Sequence, residues 1–435
     1  MILTRTAYLE LTPETATTLW YIGRCCNRVW NALVEDRQAA LRDGRKANYY
    51  SQKRLLPGMK KGDPRLKDPS SQVLQEVVKT LDGSYRSFFA KRKNGDTEAN
   101  PPGFRNGRRF FTQNYPQRGT SFEIEGPTLN IAFGRTHKDW LAMTLPEGDY
   151  SGVKTVRVGF DDLAKRFVAW MSVEVPEAQK KSDGYWIYFD PGCKNTLTGI
   201  TTEGRFVEYD INPLRNMNMS TYRLLDKLSS RRDTKKKGSL AWRRLNKRIA
   251  ALWRKVAGRT KSYLHTLANQ ILIQHPAARG FKIGDWDKQA TLADTPFPFV
   301  NRRINRAVQN NNPVRKLVEM LSYKAQLLTG QSVDEFDERG TTRTCVACGH
   351  VHSQGISPSK RGFVCERCQF SFPRDHHSGL NFLKRFKPAV WHGLRGAIPV
   401  SSARTTIAPF SFKPQTSEKL FFPGGISTTG CTVSI

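Results

Sequence analysis

The first ten residues, MILTRTAYLE, alternate apolar and polar as a half-buried strand does. The period then lengthens. From Thr12 to Ala40, apolar positions fall at Leu19, Ile22, Cys26, Val29, Trp30 and Leu33, which marks one face of a helix. Thr12 suits its cap, and Pro13 and Glu14 suit its first turn. After a basic, turn-rich stretch, Val73, Leu74, Val77, Val78, Leu81 and Tyr85 predict a second helix over residues 71–89. Between 120 and 178 the period drops to two in SFEIEG, TLNIAF, VKTVRVGF and RFVAWMSVEV, with Gly, Pro and Asp breaks. That pattern predicts a small β-barrel or sandwich. The linker EVPEAQKKSDG leads into a region, 185–390, that reads as α/β. It holds the strand YWIYFD and a partner strand, a long basic helical stretch over 213–275, the strand GFKIGDW, a helix over 313–329 and the strand SVDEFD. Beyond Phe386 the composition shifts to Ser, Thr, Pro and Gly, and 391–435 reads as an irregular tail.

Charge changes the picture. Lys and Arg number 70 against 38 Asp and Glu, a net charge of +32 that calls for a polyanionic partner. Nucleic acid is the expected one. No apolar run approaches the roughly 18 residues that span a bilayer, and the start lacks the pattern of a signal peptide. A membrane partner is therefore not expected, and the location expected is cytoplasmic or nucleoid-associated. From Arg231 to Lys261 there are 13 Lys or Arg and one acid, Asp233. Leu245, Ile249, Leu252 and Val256 form an apolar stripe there, and Arg243, Arg244, Lys247, Arg248, Arg254 and Lys255 fall mostly off it. So lopsided a run repels itself without a polyanion, and those six residues are the candidate phosphate contacts. A second basic stretch, 86–109, is interleaved with aromatics that suit base stacking where exposed.

Four of the eight cysteines sit in one 24-residue window, as Cys345-x-x-Cys348 and Cys365-x-x-Cys368. Two such knuckles close tetrahedrally on one Zn²⁺, and four thiolates fill its coordination sphere, so the zinc expected is structural. His350 and His352 are then spectators. Hydrolysis of a phosphodiester by metal ions needs carboxylates from separate segments. Asp190 ends the apolar strand WIYF, and Asp375 stands in FPRDHHSGLNFL. Taken singly, the first also reads as a hairpin turn and the second as a helix cap.

Their order along the chain resembles the TnpB family of transposon-encoded nucleases, the relatives of compact type V CRISPR effectors. GRCCNRVWNALVEDR and SSQVLQEVVKTLDGSYRSFF look like the family's first helices, and YFDPGCKNTLTGITTEG looks like its first RuvC segment. TTRTCVACG and FVCERCQFSFPRDHHSGLNFL look like its zinc ribbon and third segment. The resemblance implies a multidomain α+β chain. A wedge-type β-barrel (1–10 and 116–178) carries a helical recognition insertion (11–115). A RuvC, ribonuclease H-like α/β domain follows (183–340 and 370–390), with an inserted zinc ribbon (341–369).

It also implies catalytic Mg²⁺ on Asp190 and Asp375, a guide RNA derived from the transposon end, and double-stranded target DNA beside a short flanking motif. Two positions depart from the family pattern. Gly284, followed by Asp285 and Asp287, stands where a Glu is usual, and Asp375-His376-His377 replaces Asp-x-Asn, with Asn381 retained. Some relatives carry that Gly with a Glu just before the ribbon, which makes Glu338 the expected third carboxylate. Three other readings stand beside this one: a nuclease-dead RNA-guided repressor, a compact type V CRISPR effector, and a transposition accessory that binds DNA without RNA.

Overall fold

The computed structural model describes residues 1–134, 139–192, 197–210, 212–285, 313–352, 362–394 and 432–434. The chain forms two compact units that part between Val175 and Pro176.

The first unit opens with β1 (Ile2–Tyr8) and α1 (Pro13–Arg42). Thr12 caps α1 by accepting from the Thr15 N–H, and the predicted stripe from Leu19 to Leu33 is buried. Two short helices, α2 (Tyr49–Lys53) and α3 (Leu56–Gly62), lead to α4 (Ser71–Lys93), whose stripe Val73 to Tyr85 packs into the same core. Strands β2 (Gln113–Tyr115), β3 (Phe122–Glu125), β4 (Thr128–Ala132), β5 (Trp140–Thr144), β6 (Val153–Asp161) and β7 (Arg166–Glu174) follow.

Of the expected alternatives, a barrel or a sandwich, the strands give two sheets around one core. The strands form two antiparallel sheets, β1-β7-β6-β2 and β3-β4-β5, and among the described residues only single bridges, Glu10 to Thr144 and Arg118 to Phe122, stitch their seams. Bridges this short leave two sheets where a barrel would have a continuous wall.

The second unit is α/β. Strands β8 (Tyr185–Asp190), β9 (Leu197–Thr201), β10 (Phe206–Tyr209), β11 (Ala278–Gly284) and β12 (Ser332–Phe336) make one sheet in the order β10-β9-β8-β11-β12. The first three are antiparallel neighbours, and β11 runs parallel to both β8 and β12. The basic stretch expected as one helical region is a hairpin of α5 (Asn212–Asp233) and α6 (Leu240–Gln274). It turns at Gly238, whose φ of +85° favours a residue without a Cβ.

Helix α7 (Val314–Lys324) runs on through a π-turn to Thr329. After the cysteine segment, with strands β13 (Gly362–Val364) and β14 (Ser371–Pro373), come α8 (Arg374–Phe386) and α9 (Pro388–Leu394). The α6 and α7 side of the sheet buries Ile187, Phe189, Phe281 and Ile283, whereas the α8 side takes Tyr188, Ile200, Phe206 and Phe336. This alternation decides which face each acid at a strand end must occupy.

Helix α9 means that the expected irregular tail is helical at residues 391–394. Thr432–Ser434 pairs with β1, and the rest of the tail lies outside the described residues. Among the described residues no helix is long and apolar enough to cross a membrane.

Candidate active site and metal centre

Asp190 is the last residue of β8, two places after Tyr188, and so lies on the α8 side of the sheet. Gly284 ends β11 with the same parity, one place after Ile283 on the opposite face. Asp285 continues the alternation to the far side, where it is exposed and 3.8 Å from Arg315. Asp287 lies outside the described residues. Glu338 follows Phe336, which packs on Phe382 of α8, by two residues. A Cβ built on Gly284 would collide with Oε2 of Glu338 and lie 3.0 Å from its Cδ. The Glu338 carboxylate therefore occupies the space that a side chain at 284 would need. Asp375 stands in the first turn of α8, close enough for its charge to act on Asp190.

Helix α8 holds this arrangement together. Asn381 donates to the carbonyls of Thr341 and Thr344 at 2.8 and 2.7 Å, and Arg385 donates to that of Asp337 at 2.8 Å. These bonds grip the turn that follows β12 and carries Glu338. Within it, Thr341 Oγ1 donates to the Glu338 carbonyl at 2.7 Å. Lys384 reaches the Val346 carbonyl at 2.7 Å. His377, at the position where an Asn was expected, stacks on Phe363 with ring centres 3.6 Å apart. Its Nε2 accepts from the Val346 N–H at 3.2 Å, and burial holds its pKa down, to about 3, so that the ring is neutral. One helix thus carries Asp375, fixes the loop of Glu338 and docks on the cysteine segment.

The electrostatics follow from this crowding. Burial, and then the Asp375 charge, pushes Asp190 up to about 6, against the pull of Ser378 and Arg374. Burial, and then the charges of Asp190, Asp285 and Asp337, pushes Glu338 up to about 8. Oε2 of Glu338 is buried with no hydrogen-bond partner among the described residues. Hard oxygen donors that repel one another, one of them with an unused buried atom, fit a divalent cation such as Mg²⁺, which would reverse the sign of the local field.

The four cysteines form a second cluster, with all ligand atoms within 4.8 Å of one another, a set able to hold a metal ion. The two knuckles are built alike. The N–H of the residue after each second Cys donates to the carbonyl of the first, from Gly349 to Cys345 and from Gln369 to Cys365. Both residues adopt positive φ, +75° and +58°. The Cys345 to Cys368 and Cys348 to Cys365 sulfur pairs are each 3.6 Å apart. His352 Nδ1 lies 3.3 Å from Glu366, and His350 Nε2 is 3.7 Å from the same side chain. Neither histidine belongs to the ligand set.

Farther along the unit, Ile249 and Val256 of the α6 stripe, with Leu245 and Leu252 beside them, pack on Leu225 and Leu228 of α5. Arg243, Arg244, Lys247, Arg248, Arg254 and Lys255 are all exposed.

The chain is similar to several known proteins. The family model described as "Cas12f1-like, TNB domain" matches residues 315–382, the stretch from α7 through the cysteines into α8. A protein of Escherichia coli (strain K12) provisionally named RNA-guided DNA endonuclease InsQ is 24% identical over 324 residues, 73% of this chain and 75% of that one. A protein of Acanthamoeba polyphaga mimivirus provisionally named transposase R186 is 26% identical over 237 residues, 52% of this chain and 45% of the relative. TnpB-like protein L79 of the same virus is 23% identical over 239 residues, 53% of this chain and 43% of that one. The chain thus spans about half the length of the viral relatives. Together these matches support a TnpB-family protein. Its fold is also that of a solved Cas12f1–sgRNA–target DNA complex, with a TM-score of 0.60 at 15% identity over 85% of this chain and 82% of that one.

Within a TnpB-family frame, the two departures noted in the sequence have local physical reasons. Gly284 leaves room for Glu338, and His377 trades a short amide for a ring that packs on the cysteine segment. The hydrogen-bonded braces from Asn381, Arg385 and His377 leave no periodic trace in the sequence, since each joins residues 31 or more positions apart. Gly284→Ala should destabilise the protein by about 1–3 kcal/mol through overpacking. Adding Glu338→Ala should remove most of that cost. A denaturant-melt double-mutant cycle measures the coupling. Strictly additive effects would show that the two residues do not share one space.

Proposed function

We propose that this chain is an RNA-guided DNA endonuclease that cuts target DNA beside a short flanking motif by metal-dependent hydrolysis at a RuvC-type site. What supports the reading is that Asp190 and Glu338 lie on the α8 side of the sheet, with Asp375 in the first turn of α8, where Asp375 acts on Asp190 and Asp190 on Glu338. In this reading the three hold Mg²⁺, which supplies polarisation of a phosphate oxygen and an activated water. Asp285, on the opposite face, takes no part. The cysteines hold one structural Zn²⁺, with no open position for chemistry. Two strands of the relatedness, the InsQ match and the Cas12f1-like fold, agree with guide RNA and target DNA as partners.

The remaining surfaces take roles to match. The exposed cations of α6, from Arg243 to Lys255, bind phosphates, and the stripe beneath them keeps the helix rigid against α5. Residues 183–340 and 370–390 act as the nuclease domain, and 341–369 as its zinc ribbon. Residues 1–10 and 116–178 serve as the wedge, with 11–115 as the recognition insertion that grips the guide and the flanking motif.

With guide RNA and matched duplex in Mg²⁺, Asp190→Ala, Glu338→Gln and Asp375→Ala should each abolish cutting and leave RNA and target binding intact. Asp285→Ala should cut at the wild-type rate. Cutting by Glu338→Gln would remove Glu338 from the site. An unaltered chain that binds its target and never cuts would instead be an RNA-guided repressor. For the basic helix, replacing Arg243, Lys247 and Arg254 together with Gln should weaken RNA binding across sequences. It should also flatten the slope of log K against log salt by about two to three. An unchanged slope would mean that this face is merely hydrated.

A further inference from the structure

We propose that Glu208 and His376 form a positioning pair that sets the first turn of α8, and with it Asp375, against Asp190. The inference rests on the nuclease reading above. In the sheet register Asp190 of β8 faces Thr198 of β9, and Thr198 faces Glu208 of β10. Directly opposed residues share a face, so Asp190, Thr198 and Glu208 form one row across three strands on the α8 side. His376 follows Asp375 in the chain, and its Nε2 lies 2.7 Å from Oε1 of Glu208. A carboxylate offers only acceptors, so the imidazole donates through Nε2–H. The ring is 5% exposed and its centre is 4.6 Å from that of Phe206, which also lies on β10.

Two features make this contact consequential. Helix α8 opens on Pro373 with no side-chain hydrogen bond at its cap, so its first turn lacks the usual tether. Ser378 bonds Asp190 from the next residues of the helix, and two further tethers are lateral. His376 ties the turn to the sheet edge, and the next residue, His377, ties it to the cysteine segment through Val346 and Phe363. Asp375 stands on that same turn. Glu208 itself is too far to share an ion with Asp190, since two strand spacings separate them by about 10 Å. It acts through His376 and the helix, as the outer partners of metal ligands do.

The test compares metal affinity with stability in full-length variants, Mg²⁺ being titrated by calorimetry on the purified chain and again as the Mg²⁺ dependence of cleavage. Glu208→Ala should raise the Mg²⁺ midpoint in both by about tenfold, the usual cost of losing such a partner. Glu208→Gln, which keeps an acceptor oxygen, should restore a midpoint close to wild type, and the metal-free melting temperatures of the two variants should agree. His376→Gln against His376→Leu makes the same comparison from the helix side and serves if Glu208→Ala does not fold. An Ala or Leu variant with the wild-type midpoint, or a Gln variant as impaired as its Ala or Leu counterpart, overturns the pairing. A wild-type chain that takes up Mg²⁺ yet never cuts removes the nuclease reading alone, and the calorimetric midpoints still judge the pair. A wild-type chain that takes up no Mg²⁺ overturns both.

Discussion

Repulsion between neighbouring buried acids on the α8 side of the sheet constrains the α/β unit. Asp190, Glu338 and Asp375 stand near enough for Asp375 to raise the pKa of Asp190 and for Asp190 to raise that of Glu338. Such a cluster opposes folding unless a cation balances it or the scaffold is rigid enough to hold it. Helix α8 supplies that rigidity. It is buried over most of its length, from His376 to Leu383, and its polar side chains reach the loop of Glu338, the sheet edge and the cysteine segment.

The same constraint gives a role to the cysteine segment that lies between two of the acids. The stretch from Glu338 to Asp375 leaves the sheet and returns to it, with short β13 and β14 as its only regular pieces among the described residues. A hydrophobic core of Cys345, Phe363 and Cys365 is too small to order such a segment alone. The four thiolates, closed on one ion, would give it the missing rigidity. His377, pressed between helix and segment, passes that rigidity to the turn that bears Asp375.

Much of this was legible in the residues, and what was not shares one cause. The stripes of α1 and α4 recur among the buried residues because periodicity is a local signal. The parity of β11, which sends Asp285 away from Gly284, follows from alternation in the same way. The two basic helices were read as one region because charge hides a break that Gly238 alone marks. Between barrel and sandwich the sequence left the choice open, since closure of a wall has no signature in any one strand, and the structure has two sheets. Glu208 and His376 lie 168 positions apart, and each reads as an ordinary surface residue until the sheet register joins them.

The measurement that bears most directly on the central claim is anomalous diffraction from crystals of the chain grown with Mn²⁺ in place of Mg²⁺. The account predicts manganese density bound by carboxylate oxygens of Asp190, Glu338 and Asp375, with Asp285 still turned towards Arg315. Manganese held by Asp285 with the Glu338 carboxylate turned away, or crystals with no manganese on that face of the sheet, would contradict it.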